Sequence, residues 1–203
     1  MSRIRSIVAA TTNPGKLREM EKLIDVPGLQ MLSLADFPDL TEVEETGNSF
    51  VANAVLKARG YALQMAAWTL ADDSGLEVEI LDGRPGVHSA RFGGPQTSWK
   101  DKLVLLLEQI DAAGKDHRRA RFVCAMSVSD DQGQIRISST GVCEGKIGLV
   151  ARGRHGFGYD PLFIPEGFDR TFGELSDDIK QQISHRAVAS EAIKRFFLDF
   201  TAL

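Results

Sequence analysis

The sequence predicts an α/β fold with a mixed, twisted β-sheet flanked by helices and arranged as two lobes around a central cleft. Three observations support this prediction. An apolar run leads into an amphipathic helix, and segments whose apolar residues recur at helical spacing alternate with segments rich in β-branched residues. Two long strand-like segments flank a tight turn. The chain has 203 residues and is 43% hydrophobic, so it can bury a sizeable core. We therefore expect one domain over residues 1–203.

The first elements are a strand and a helix joined by a tight turn. Residues 4–10 (IRSIVAA) form a short apolar run rich in isoleucine and valine, which is typical of a buried strand. The next segment, TTNPGKLREMEKLI, predicts the start of a helix, because Asn13 is a favourable N-cap and Pro14 fits the first helical position. Apolar residues then recur at helical spacing, at Leu17, Met20, Leu23 and Ile24.

A second helix and an interrupted strand follow. Residues 49–67 are predicted as a helix with Ser49 as its cap. Residues 68–71 (WTLA) are predicted as a strand that ends abruptly at Asp72, and residues 76–81 (LEVEIL) as the next strand.

The rest of the chain continues the mixture of helix and strand. Residues 82–95 are dense in glycine and proline and predict a loop, whereas residues 99–112 predict an amphipathic helix. Residues 119–129 and 134–148 flank the turn DDQG and predict a β-hairpin of long strands. Residues 185–200 predict a helix.

The stretch GFGYDPLF, residues 156–163, suits neither helix nor strand, since it mixes glycines, aromatic residues, an acid and a proline. Glycine lets the backbone approach a ligand closely, and an aromatic ring offers a stacking face. We therefore expect a loop that contacts a ligand.

Composition limits the classes of partner. The net charge is -4 with both signs dispersed, so no basic footprint for a nucleic-acid polymer is present, whereas a small phosphorylated ligand remains open. Cys124 and Cys143 lie in strand-like segments without metal-type spacing. They predict buried thiols in a reducing compartment, with a cross-strand disulfide as the alternative. No signal-peptide core or membrane-spanning run is found, so we expect a cytoplasmic protein.

The turn TTNPGK is a candidate phosphate site. A helix N-terminus carries a partial positive charge and presents N–H groups, and Lys16 in the first turn adds a full charge. The turn lacks the Gly-Lys-Ser/Thr ending of a Walker A loop. The alternative is an ordinary capped helix with a solvated lysine.

The segment LADDSG places two carboxylates where open α/β sheets bind their ligands. If strand geometry persists, Asp72 and Asp73 point in different directions, so one can orient the site and the other can face the cleft. The alternative is an Asp-Ser-Gly turn. The upstream run of acids, Glu42, Glu44 and Glu45, is either a solvated loop or part of a Mg²⁺ site completed by the aspartates.

Further cations follow the glycine-aromatic loop. Lys180, His185 and Arg186 are either surface and capping residues or, together with Lys16, the charges that balance a triphosphate. Three separate signals then point to one ligand.

Four blocks in order resemble the inosine triphosphate pyrophosphatase family: TTNPGK, VEETGNSFVANAVLKA, LADDSGLEVEILDGRPGVHSARFGG, and GFGYDPLF followed by ISHRA. The resemblance covers nearly the whole chain. It implies a Mg²⁺-dependent enzyme, a homodimer with a nucleotide-binding cleft, that hydrolyses ITP, dITP or XTP to the monophosphate and pyrophosphate. Such activity removes non-standard purines from the nucleotide pool and prevents their incorporation into DNA and RNA. The sequence leaves the preference among the three substrates open.

The resemblance also implies roles for particular residues. Asp73 matches the catalytic general base and a metal ligand, and Glu44 best matches the second metal ligand, with Glu42 and Glu45 as alternatives. The phosphate-binding turn is matched by Thr11, Thr12, Asn13, Pro14, Gly15 and Lys16. Other substrate contacts are matched by Ser74, Phe157, Gly158, Tyr159, Asp160, Lys180, His185 and Arg186.

The residues of the expected base pocket suit a 6-oxopurine. Phe157 can stack on the ring, while backbone groups and the His185–Arg186 pair can donate to O6. Adenine carries an amino donor at that position, so a donor-lined site would reject ATP. His88 stands where relatives commonly have tyrosine and receives no family role, and Arg91 is either structural or a contact from a dimer partner.

Overall fold

The computed structural model describes residues 4–114 and 117–201, and its helices and strands are mixed along the chain as predicted. In chain order they are β1 (Ser6–Ala9), α1 (Pro14–Leu23), β2 (Gln30–Ser33), α2 (Phe50–Met65), β3 (Thr69–Val78), α3 (Trp99–Ala113), β4 (Arg119–Ser129), β5 (Ile135–Ile147), β6 (Phe163–Pro165), α4 (Asp177–Ile183) and α5 (His185–Thr201).

Both predicted N-caps are confirmed. The Asn13 side chain accepts hydrogen bonds from the amides of Gly15 and Lys16 at the start of α1, and the Ser49 side chain accepts from the amide of Ala52 in α2. The ends of α3, β4, β5 and α5 agree with the sequence prediction to within one residue. Strong periodicity and recognisable caps therefore located these elements.

The sheet is mixed, as expected. Its six strands have the order β2-β1-β3-β4-β5-β6. Strand β1 pairs in parallel with both β2 and β3, whereas β5 and β6 are antiparallel. The predicted hairpin is present as the neighbouring strands β4 and β5, and the amide of Gln134 lies 2.9 Å from the Asp130 carboxylate in its turn.

The prediction that a strand ends at Asp72 is wrong. Strand β3 continues through both aspartates to Val78. Residues that favour turns remain extended here because the side chains of Asp72 and Asp73 both have partners in the flanking helices. The predicted strand over residues 76–81 is correspondingly shortened, since Glu79–Leu81 form a 3₁₀ helix.

Several short elements were not predicted. Strand β2 has four residues, β6 has three and α4 has seven, so none extends far enough to show a clear period. The predicted loop over residues 82–95 contains a 3₁₀ helix at Gly86–Arg91.

The chain divides into two compact units, which match the two predicted lobes. The first takes in the chain up to Asp73, residues 124–141 and the chain from Arg186 onward. The second takes in residues 74–123 and 142–185. That these units form one domain over residues 1–203 stays a prediction.

The first unit has apolar layers on both faces of its strands. Side chains of β1 and β3 alternate between the faces, so Ile7 and Leu70 join one buried cluster and Val8 and Ala71 join another. The first cluster is completed from α1 and α5, with Met20, Ala189, Ile193 and Phe197. The second is completed from α2, with Ala58 and Tyr61.

The second unit has its own core, built around α3 and a group of aromatic residues. Leu106 and Ile110 of α3 are fully buried in this cluster. The ring centroid of Phe122 lies 4.6 Å from that of Phe163, which in turn lies 5.5 Å from that of Phe172. Each unit therefore has an apolar core to hold its functional side chains in place.

Candidate active site

Strand β3 sends its two adjacent aspartates to different helices. Asp72 follows the direction of Leu70, toward α1 and α5, and Asp73 follows the direction of Ala71, toward α2. The Asp72 carboxylate lies 3.2 Å from Lys16 Nζ, whereas Asp73 Oδ2 accepts a hydrogen bond of 3.0 Å from Asn53 Nδ2. The predicted divergence of the two side chains is confirmed.

Asp72 is a fully buried anion with two cationic partners. Its Oδ2 lies 3.2 Å from Lys16 Nζ and 3.1 Å from Arg186 Nη2. Burial opposes ionisation, but the charges of Lys16, Arg186 and Lys57 outweigh it and hold the pKa of Asp72 well below its usual range. Asp72 is therefore a permanent negative charge that positions basic side chains.

Arg186 links three elements of the first unit. Its guanidinium is 1% exposed, donates to Asp72 of β3 and forms an ion pair with Glu19 of α1, while Arg186 itself lies in α5. Burial disfavours its charge, yet Asp72 and Glu19 together raise the pKa of Arg186 above its ordinary value. The sequence had pointed to a nucleotide contact here; the structure shows that these carboxylates engage its guanidinium.

Asp73 has the opposite electrostatic character. Burial is the main cause that raises the pKa of Asp73, and the negative charge of Glu45 adds to it. The charge of Lys57 and the Asn53 hydrogen bond oppose that rise without cancelling it. Two neighbouring carboxyl groups with pKa values moved in opposite directions are typical of sites that separate structural from acid–base roles.

Lys57 is a site residue that the sequence analysis missed. Its ammonium group lies 2.8 Å from Glu45 Oε1, and the side chain is largely buried. Burial lowers its pKa, but the charges of Asp72, Glu45 and Asp73 outweigh this effect and raise it. The available signal was the pair Asn53 and Lys57, polar residues four positions apart on the otherwise apolar buried face of α2.

The three candidate glutamates have different surroundings. Glu45 is half-buried and is ion-paired with Lys57. Glu44 is exposed and, within residues 4–114 and 117–201, forms no ion pair or hydrogen bond with another side chain. The neighbouring loop is tied to the site by Asn53, whose Oδ1 accepts a 2.8 Å hydrogen bond from the amide of Gly47. Glu45 is thus the carboxylate of this run that is held by an ion pair, which distinguishes it from Glu44.

The turn before α1 is stabilised by its own side chains. Asn13 Oδ1 lies 2.8 Å from the amide nitrogen of Gly15 and 3.3 Å from that of Lys16, and Thr11 Oγ1 accepts from the amide of Asn13. Thr12 and Pro14 are exposed. The turn therefore places Lys16 beside Asp72 with a preformed backbone.

In the second unit, the loop over residues 156–160 closes around one carboxylate. Asp160 Oδ2 accepts a 2.7 Å hydrogen bond from the amide of Phe157 and lies 2.6 Å from Lys180 Nζ. The same ammonium group lies 4.7 Å from the centroid of the Phe157 ring. This loop conformation requires glycine at position 156, because the residue has φ of 71° and a Cβ there would lie 2.0 Å from Asp160 Oδ2.

The other predicted contacts of the second unit are also placed. Tyr159 is buried and its hydroxyl donates a 3.0 Å hydrogen bond to the carbonyl of Ser89. His185 is buried, and its ring stacks on Phe122 with centroids 4.7 Å apart. Ser74 is half-buried on β3 directly after Asp73. Gly158, with φ of 63°, lies between Phe157 and Tyr159.

The two residues that the sequence left without a firm role are on the surface. His88 and Arg91 are exposed in the 3₁₀ helix Gly86–Arg91. The roles considered for them stay predictions.

Among the residues that the structure describes, no helix is both long enough and apolar enough to cross a membrane.

These features define a class of protein: an α/β protein with a mixed six-stranded sheet and a buried, oppositely tuned aspartate pair on its third strand. The chain belongs to the Ham1 family, whose family model matches residues 7–196.

Proteins with a described activity are similar over nearly the whole chain. A dITP/XTP pyrophosphatase of an Exiguobacterium species is 44% identical over 194 residues, which cover 96% of this chain and 97% of the relative. The dITP/XTP pyrophosphatase of Bacillus subtilis (strain 168) is 40% identical over 192 residues, which cover 95% of this chain and 96% of the relative.

Solved structures agree with the fold. A HAM1 protein from Coxiella burnetii has a TM-score of 0.88 and 36% identity, with 97% of this chain and 100% of that chain covered. The nucleoside-triphosphatase / dITP/XTP pyrophosphatase from Mycobacterium abscessus has a TM-score of 0.75 and 38% identity, with 93% and 98% covered.

Proposed function

We propose that this chain hydrolyses non-standard purine nucleoside triphosphates, namely dITP, XTP and ITP, to the monophosphate and pyrophosphate. The observation that carries the proposal is Asp73, a buried carboxylate that accepts a hydrogen bond from Asn53, has a raised pKa and lies in the electrostatic field of Lys57 and Lys16. Its setting suits proton transfer next to a polyanion. The names of the similar proteins support the choice of substrate. The reaction would keep these nucleotides out of DNA and RNA.

The carboxylates of the first unit fit a Mg²⁺ ion that is shared with the substrate. Mg²⁺ usually takes one or two protein carboxylates and completes its shell with waters and phosphate oxygens. In the described part of the chain no group of three or more His, Cys, Asp or Glu side chains could hold a metal, so an all-protein cage is not the kind of site expected. We assign Asp73 and Glu44 as the ligands. When bound, the ion would neutralise phosphate charge.

In this reaction, water attacks the α-phosphorus and the bond to the bridging oxygen of the β-phosphate breaks, which releases pyrophosphate. Asp73 accepts the proton of the attacking water at its carboxylate. Burial raises the pKa of Asp73 in the metal-free chain, and the Asn53 hydrogen bond fixes the orientation of the carboxylate. Asp72 remains ionised and holds Lys16 beside the site.

The lysines have separate tasks in this proposal. Lys16, in the turn that precedes α1, would bind the leaving pyrophosphate, where negative charge grows in the transition state. Lys57 would hold Glu45 and limit the rise of the Asp73 pKa. The sequence suggested that Lys180 helps Lys16 to balance the charge of a triphosphate. Because Lys180 is paired with Asp160 and lies over Phe157, we assign it to the base loop.

The loop over residues 156–160 suits a purine ring. Phe157 offers an aromatic face whose position is fixed by Asp160 and Lys180. Backbone donors of this loop, with His185, would bind O6 of hypoxanthine or xanthine. Adenine would leave such donors unpaired, and that penalty supports strong rejection of ATP.

The test is turnover of ITP, XTP, dITP, GTP and ATP at equal concentration with Mg²⁺ and then with chelator, with pyrophosphate and orthophosphate measured separately. We expect metal-dependent release of pyrophosphate from ITP, XTP or dITP, with ATP and GTP nearly inert. Binding of these nucleotides without cleavage, or release of orthophosphate in place of pyrophosphate, would overturn the proposal.

The assembly and cell compartment are part of the same proposal. We infer from the resemblance that the chain acts as a homodimer in the cytoplasm, where its two free cysteines, Cys124 and Cys143, would stay reduced. Sedimentation velocity of the purified chain tests the dimer, and a monomer at micromolar concentration would contradict it.

A further inference from the structure

Trp99 lies against the loop over residues 156–160 although no role has been assigned to it. It is the first residue of α3, and the residue is 42% exposed. The ring centroids of Trp99 and Tyr159 are 5.4 Å apart and the rings are perpendicular, an edge-to-face arrangement that aromatic pairs favour. The indole therefore contacts the loop that we assign to the purine.

The contact extends to the backbone of the loop. Gly158 has φ of 63°, and a Cβ built on it would lie 3.4 Å from Trp99 Cη2 and 3.5 Å from Cζ3. The indole thus packs directly beside the Gly158 backbone. A glycine in this left-handed conformation has the backbone freedom that makes an external support useful.

Trp99 is itself held firmly. Ser98 caps α3 by accepting a 3.2 Å hydrogen bond from the amide of Asp101, which fixes the first turn of the helix. One turn along, the Lys102 side chain is buried and its ammonium group lies 4.9 Å from the centroid of the Trp99 ring. This cation–π contact orients the indole on a rigid element.

The loop is anchored at several points, and each anchor acts on a different residue. Asp160 and Lys180 hold Phe157, and the Ser89 carbonyl holds the Tyr159 hydroxyl. We propose that Trp99 is a positioning residue: by supporting Gly158 and the Tyr159 ring, it keeps the loop in the shape in which Phe157 receives the purine base. This inference rests on the proposed function, in which this loop binds the base.

The direct test compares Trp99→Ala with Trp99→Phe and with the wild-type chain. Loss of an edge-to-face contact should raise the KM for ITP and the inhibition constant of inosine monophosphate by roughly two- to tenfold. We expect kcat to change by less than about twofold, because Trp99 contacts none of the groups assigned to proton transfer. Inhibition by pyrophosphate should be unchanged, and Trp99→Phe, which keeps a ring, should restore most of the affinity.

The control is Val104→Ala, a substitution at a 47% exposed position of the same helix. It should leave all three constants at wild-type values. Unchanged KM and monophosphate inhibition in Trp99→Ala would overturn the inference. So would an equal weakening of pyrophosphate inhibition, since that would indicate a general distortion of the protein.

A second measurement needs neither turnover nor the alanine variant. The chain has two tryptophans, so Trp68→Phe leaves Trp99 as the reporter. We expect its emission to change when inosine monophosphate saturates the protein, with saturation checked by calorimetry. Binding without any change in emission would overturn the inference. A chain whose emission responds but that releases no pyrophosphate from ITP or XTP would instead overturn the proposed function alone.

Discussion

Replacement of Asp72 and of Asp73 by asparagine should affect stability very differently, although the two residues are adjacent and the substitutions are nearly isosteric. Asp72 is a fully buried anion between Lys16 and Arg186. Breaking a buried ion pair by removal of one partner costs about 3–5 kcal/mol. Because Arg186 keeps Glu19 and the Lys16 side chain is 17% exposed, we expect the lower end for Asp72→Asn, about 3 kcal/mol.

The assay is urea unfolding followed by circular dichroism at neutral pH. With an m-value of about 2 kcal/mol/M, a loss of about 3 kcal/mol lowers the midpoint by roughly 1.5 M. Asp73→Asn should unfold near the wild-type midpoint or slightly above it. The folded pKa of Asp73 is raised, so its ionised form opposes folding at neutral pH and its removal carries no such cost.

Two results would refute this reasoning. The first is a wild-type midpoint for Asp72→Asn, which would mean that the buried ion pairs contribute nothing net. The second is an equal loss of stability in both variants, which would mean that the electrostatic difference between the two faces of β3 does not exist. Lys22→Met, at an exposed position of α1, is the control for loss of a charge.

Other predictions follow from the same contacts. Asp73→Asn should lower kcat for ITP by about 10²- to 10⁴-fold while the protein remains folded, and near-normal turnover would remove Asp73 from the mechanism. Lys57→Met removes a charge that lowers the Asp73 pKa, so the acid limb of the kcat/KM profile should move to higher pH; an unmoved limb would contradict this coupling. The depressed pKa of Asp72 contributes stability above its ordinary value of 3.8 that is lost as pH falls below it, so acid titration should unfold the wild type more steeply than Asp72→Asn. Gly156→Ala should raise the KM for ITP, because the added methyl group would lie against Asp160; a wild-type KM would show that the loop can adjust.

Much of the fold was predictable because its main elements carry local signals. The N-caps Asn13 and Ser49 and the long amphipathic segments located the helices, and the alternation around the DDQG turn located the hairpin. Strand β2 could not be found in this way, since its four residues are exposed or half-buried and show no alternation. Short elements depend on the sheet that they join, and that sheet is assembled from distant segments.

The candidate site was predictable in its residue types but not in its pairings. Two adjacent aspartates indicated a pair with different roles, yet only the structure shows that β3 continues through them and sends Asp72 to Arg186, 114 positions away. The acidic run was recognised, but the difference between Glu44 and Glu45 depends on Lys57, which lies on another element. Local patterns do not contain such long-range partners, so Lys57 was missed.

The contact between Asp72 and Arg186 also orders events during protein synthesis. A ribosome that has just added Asp72 must add 114 more residues before Arg186 exists. During that interval Lys16 is the one of these two cationic partners already made, although β3 is complete as soon as Val78 has been added. Strand β3 is therefore synthesised early but gains its last ion-pair partner late. Because the first unit combines the N-terminal and C-terminal segments, it is the unit whose contacts are completed last during synthesis.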